Sequence, residues 1–190
     1  TCENIKEMME FHGYDDVRTI YNSPFPSQMV SDLNAGLTFF NYRGYWGISG
    51  FGNGNINSLS NGFKLTVATV ITCGTGDFDN GNSQSEAFVK LGSVNNPEGA
   101  VAAIGLSTVG THTAYNNILD MGIYDGIFSK KLWYAGAAEA NGDLAILATY
   151  PSNPSGATEA FIAWSNLIGD PALHLWTGIP TSFAVDYIDV

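Results

Sequence analysis

The sequence predicts an α/β protein, a three-layer α/β/α sandwich with a mostly parallel sheet between two layers of helices. Three observations carry this. The runs "FKLTVATVIT" at 63–72 and "GAVAAIGLS" at 99–107 are almost continuously apolar or β-branched, as strands covered on both faces are. Segments of helical periodicity alternate with such runs, and parallel neighbours need crossovers of that kind. Gly, Pro and Asn collect between the two kinds of segment, where chain breaks belong.

Taken in order, residues 2–12 place Ile5, Met8, Met9 and Phe11 at helical spacing, and "VRTIY" at 17–21 is a short strand candidate. In "SPFPSQMVSDLNAG", Pro24 and Pro26 stand near a helix start and Gly36 at its end, ahead of a strand at 37–42. The loop "GFGNGNINSLSNG" precedes the strand at 63–72, and a helix around "SQSEAFVKLGS" precedes the one at 99–107. The stretches "YNNILDMGIYDGIFSKKLWYAGAAEA" and "EAFIAWSNLIGDPAL" read as helices, followed by a short strand at "LHLW".

Composition bounds the function. A length of 190 residues suits one domain, and 45% hydrophobic with 13% charged residues describes a globular chain. A net charge of -11, from 18 acidic and 7 basic residues, argues against nucleic acid and against an anionic membrane surface. No apolar run approaches the roughly 18 residues needed to insert across a membrane. The start shows neither an initiator Met nor a signal peptide, so the chain is expected to be a processed piece. Scarce Lys with abundant Asn, Gly, Ser and Thr points to an extracellular protein, where Cys2 and Cys73 can pair in a disulfide.

In parallel sheets functional residues gather at the carboxyl ends of the strands. That rule selects "NYRGYWG", "TCGTGDFD" and "STVGTHTAYNN". Cys73 is the sharpest candidate: a thiol at a strand end, followed by Gly74 and Gly76, lets backbone N–H groups approach a reacting carbonyl. The alternative is a small buried core residue, the commonest role of Cys.

Taken together, "NYRG" with a Trp- and Gly-containing loop, "TCGTGDFD", "SEAF", "GAVAAIG" and "LIGDPAL", in that order over residues 37–180, resemble the catalytic core of gingipain-type cysteine peptidases. The resemblance implies the caspase-like fold for residues 1–180, with Cys73 as the nucleophile that forms an acyl-enzyme. It implies a further subdomain before this region and an immunoglobulin-like domain after it, with 181–190 as the first strand of that module or a closing edge. The partners it implies are a polypeptide substrate and the other domains of the same precursor.

The family's pattern after "NYRG" is His-Gly, where His is the general base. This sequence has Tyr45, Trp46 and Gly47, and neither Tyr nor Trp accepts a thiol proton near neutrality. Gly47 is carried over with Gly74 as an oxyanion donor. His112 is the candidate substitute base, just past the strand expected beside that of Cys73, with Asn116 placed to orient its ring. The same loop lines the substrate pocket in the family, so Thr108 and Asn116, with Tyr45 and Trp46, are substrate-binding candidates. His12 and His174 read as packing or surface residues. Asp77 and Asp79 form an oxygen-rich loop where calcium is the one cofactor to consider, although no EF-hand spacing is met and no cofactor is required. "GFGNGN" lacks the Lys of a phosphate loop, and "GISG" departs from the serine-hydrolase elbow. Two functions follow: a secreted cysteine endopeptidase, or a catalytically silent homologue that binds a polypeptide or glycan through its aromatic tip.

Overall fold

The computed structural model of the chain describes residues 1–178 apart from Ser23, Tyr45, Trp46, Ser49 and Asn80. The chain runs through helix α1 (Cys2–Phe11), α2 (Phe25–Ala35), strand β1 (Phe39–Tyr42), α3 (Asn53–Ile56), β2 (Thr66–Val70) and α4 (Gln84–Lys90). A small antiparallel hairpin, β3 (Gly92–Ser93) and β4 (Asn96–Pro97), leads into β5 (Ala100–Leu106). Helices α5 (Thr113–Phe128), α6 (Ala135–Thr149) and α7 (Ala157–Trp164) follow, and β6 (Ser165–Ile168) completes the main sheet.

That sheet has the order β1-β2-β5-β6, with β1, β2 and β5 parallel and β6 antiparallel to β5. Every residue of β2 is buried, which explains its apolar and β-branched composition. One face packs Val67, Ile104 and Leu106 against α1, α5, α6 and α7; the other packs Phe40, Ala68, Val70 and Ala103 against α2, α3 and α4. These are the three layers expected from the sequence.

Local chemistry sets the ends of the helices. Ser83 caps α4 by accepting the Glu86 N–H at 3.3 Å, and Glu86 answers by accepting the Ser83 N–H at 2.9 Å. Lys90 closes an i,i+4 ion pair with Glu86 at 2.6 Å. Gly36 stands at the carboxyl end of α2, as the sequence suggests.

The structure corrects four local readings. Residues 17–21 form no strand: Arg18 reaches Asp32 of α2 at 2.7 Å and Asp16 at 2.9 Å, so side-chain ion pairs anchor this segment in place of a β ladder. The strand expected from residue 63 begins at Thr66, and Phe63 is 81% exposed. "SNLI" is strand β6 and not helix, because residues 165–168 pair in antiparallel register with Ala103–Leu106. "LHLW" contributes a single bridge, between His174 and Tyr134. Residues 181–190 lie outside the described residues.

The turn after β2 is pressed directly onto β5. A Cβ on Gly76 would lie 2.7 Å from the Gly105 carbonyl carbon, and a Cβ on Gly105 would lie 2.5 Å from Ser85 Oγ. The Gly76 N–H donates to the Leu106 carbonyl at 3.0 Å, while Thr75 Oγ1 donates to the Val70 carbonyl at 2.6 Å. Gly76→Ala should therefore lower unfolding stability by about 1–3 kcal/mol, the usual cost of overpacking. A urea titration checks this, and an unchanged midpoint would show that the turn can lift off the strand.

Candidate active site

Cys73 stands three residues beyond the carboxyl end of β2, partly exposed and with a free thiol. Cys2, the other cysteine, is also free, so the disulfide considered from the sequence is not formed. Burial and the neighbouring Asp120 push the Cys2 thiol up from its ordinary value.

The turn that carries Cys73 is held by backbone bonds. Gly74, at φ +69°, donates to the Thr108 carbonyl at 2.8 Å, and Gly47 donates to the Cys73 carbonyl at 3.3 Å. In this structure the N–H groups of both expected oxyanion donors brace the turn. The N–H of Cys73 has no hydrogen-bond partner among the described residues.

Thr111 is the side chain on the sulfur. Its Oγ1 lies 2.9 Å from Cys73 Sγ, and Asn116 Nδ2 donates to the same oxygen at 3.1 Å. Asn116 is 3% exposed in the first turn of α5, and its Oδ1 is buried without a partner. Asn116 therefore orders Thr111 and does not orient the His112 ring.

His112 is the N-cap of α5. Its Nδ1 accepts the Ala114 N–H at 3.2 Å and its ring meets Tyr115 edge-on, so it is not hydrogen-bonded to Cys73. The loop does begin a helix, and that is what claims the imidazole. Thr108 gives its carbonyl to Gly74 and its hydroxyl oxygen to the Gly110 N–H at 3.2 Å. Tyr45 and Trp46 lie outside the described residues. Asp77 and Asp79 sit in the turn after Cys73, and no group of three or more His, Cys, Asp or Glu able to hold a metal occurs among the described residues. His12 caps the carboxyl end of α1 and stacks near Phe128, while His174 packs against Tyr134.

Two residues at the end of β1 tie it to α5. Arg43 Nε donates to Asn117 Oδ1 at 2.9 Å, its Nη1 to the Gly44 carbonyl at 2.6 Å, and its Nη2 to the Thr113 carbonyl at 3.1 Å. Asn41 Nδ2 donates to Asp120 Oδ1 at 2.8 Å. Burial pushes Asp120 up to about 7, outweighing the hydrogen bond from Asn41 and the charge of Arg43. Neither Thr111 nor Arg43 was singled out by sequence; each sits inside a motif that was, beside His112 and within "NYRG".

A sequence profile of peptidase family C25 matches residues 3–176. The chain belongs to peptidase family C25. No curated protein sequence matches it. Among solved structures, the Arg-specific cysteine proteinase gingipain R (RgpB) superposes with a TM-score of 0.84 at 23% identity, covering 94% of this chain and 43% of that one. A complex of the pro- and mature domains of RgpB from Porphyromonas gingivalis gives a TM-score of 0.84 at 23% identity, over 94% of this chain and 44% of its own. A structure described as a protease gives 0.77 at 20% identity, over 95% and 46%. This C25 chain has the gingipain fold and spans less than half the length of those structures.

Asp120 also sets a pH dependence. Its folded pKa lies above the unfolded carboxylate value near 4, so the folded state holds the extra proton in between and stability falls as pH rises from about 4 through about 7. Asp143, pushed up to about 7 by burial and then by Glu139, acts in the same window. Asp120→Asn together with Asp143→Asn should flatten the fall in the urea midpoint between about pH 5 and pH 7. An undiminished slope in the double variant would mean that other groups carry it.

Proposed function

We propose that this chain is the cysteine-bearing part of the catalytic region of a secreted cysteine endopeptidase, in which Cys73 attacks a peptide carbonyl. The observation that carries the reading is a free, partly exposed thiol at the carboxyl rim of a parallel sheet, held by its own turn and by Thr111, in a member of peptidase family C25. Structural neighbours described as cysteine proteinase and protease support the reaction class. The acidic, Lys-poor composition supports an extracellular setting. Attack forms a C–S bond and an oxyanion near the Cys73 N–H; collapse breaks the C–N bond, the leaving amine takes the proton the thiol gave up, and water then hydrolyses the thioester to release the acid and restore the thiol.

His112 can serve that proton transfer only by giving up its cap. With Nδ1 accepting from Ala114, the neutral ring carries its proton on Nε2 and offers the thiol no lone pair. This observation favours the second reading, a silent homologue that binds polypeptide at the same rim without cleaving it.

Hydrolysis of a mixed peptide library, by this chain and by its longer precursor, separates the two. Cleavage that is lost by about a thousandfold or more in Cys73→Ser supports the peptidase; binding without cleavage by either form leaves the silent homologue. His112→Ala should cost about 1 kcal/mol of stability through the lost cap, and His112→Asn, which can cap, should restore it. If His112 is also the base, both variants lose cleavage equally, whatever their stability.

A further inference from the structure

We propose that Cys73 is kept nucleophilic by a hydroxyl and a guanidinium in place of an imidazole: Thr111 donates its O–H to Sγ, Asn116 orders Thr111, and Arg43 supplies the positive charge. The inference rests on the reading of Cys73 as the nucleophile and says how this chain prepares it.

The hydrogen bonds of Thr111 link the sulfur to the buried Asn116 amide. Thr111 Oγ1 accepts from Asn116 Nδ2 and has one proton of its own to place. Its remaining close partner is the sulfur, 2.9 Å away, where either atom can donate; with the O–H pointed into Sγ the bond favours the anionic form. The opposite arrangement is an ordinary thiol donating to Thr111, with the Thr111 O–H turned to Asn116 Oδ1 after the amide flips. Asn116 is buried and can serve either, so the relay has two settings. An acceptor at position 116 draws the Thr111 O–H away from the sulfur and so disfavours the thiolate.

Arg43 adds positive charge near the sulfur. It is half-buried, lies within electrostatic reach of Cys73, and donates only to the neutral acceptors Asn117, Gly44 and Thr113. The other ionisable groups around it are Cys2 and the amino terminus from the start of α1, Tyr42 from β1, and Asp120 from α5. Burial raises Asp120 to about 7, so that near neutrality it carries only part of its charge, and disfavours a Cys2 thiolate. No carboxylate is hydrogen-bonded or ion-paired to the guanidinium among the described residues, so its charge is available to a Cys73 thiolate. His112, engaged with Ala114, plays no part.

The test is the rate of iodoacetamide labelling of Cys73 between about pH 6 and pH 9, with the modified site read by mass spectrometry. In that reaction the thiol proton goes to solvent, the sulfur forms the new S–C bond, and iodide leaves with the electron pair. Thr111→Val should slow labelling at pH 7 about tenfold and move the rate profile to higher pH, the loss of one charge-assisted hydrogen bond. Thr111→Ser should restore it, which also controls for folding. Asn116→Asp, an acceptor only, should slow labelling at least as much as Thr111→Val, and Arg43→Gln should slow it as well. Wild-type rates in Thr111→Val, or a loss in His112→Asn that matches it, would overturn the proposal. Because labelling needs no peptide cleft, fast Thr111-dependent labelling without peptide cleavage sinks the peptidase reading alone, whereas peptide cleavage untouched by Thr111→Val sinks this one alone.

Discussion

The contact on which the site depends is backbone against backbone. Gly76 lies where a side chain would strike the Gly105 carbonyl, and Gly105 in turn leaves no room for a Cβ beside Ser85. This double absence lets the turn after β2 lie flat on β5, close enough for Gly76 and Gly74 to donate to the Leu106 and Thr108 carbonyls. Thr75 fixes the same turn to the end of its own strand. The sulfur's place is therefore set by packing and main-chain bonds, and side-chain chemistry is added around it.

That chemistry comes mostly from one turn of helix. The start of α5 supplies His112 as its cap, Thr111 just ahead of it on the sulfur, and Asn116 one turn on, beneath Thr111. Arg43 and Asn41 then clamp the end of β1 to the same helix, through Asn117, Thr113 and Asp120. Three carboxyl-end loops are thereby joined into one rim. A buried carboxyl beneath it is tolerated because Asn41 satisfies one oxygen and protonation removes the charge.

What the sequence disclosed follows from what is local. Continuous apolar runs gave β2 and β5, breakers bounded α2, and a thiol at a strand end with glycines after it pointed to Cys73, since each of these needs only neighbours in the chain. The segment "VRTIY" misled because β-branched residues satisfy strand propensity, whereas Arg18 is claimed by Asp32 fourteen residues away. "SNLI" misled in the other direction: no breaker separates it from α7, and only the open edge of β5 makes it a strand. His112 was placed correctly beside the rim, but nothing local says that an imidazole at a helix start will cap the helix before it reaches for a thiol. Thr111 was passed over because Thr is common in loops and its role appears only when β2 and α5 meet.

The rim is also assembled from distant parts of the chain. Thr111 meets Cys73 across 38 residues and Asn41 meets Asp120 across 79, so these contacts form only after long loops have closed. Helices and hairpins can form earlier from local contacts, and during that interval the thiol exists without its partners. A chain still being synthesised or refolded thus carries the sulfur but not its setting. Completion of the sheet is what brings them together, so the surroundings of the sulfur are among the last parts of the fold to form.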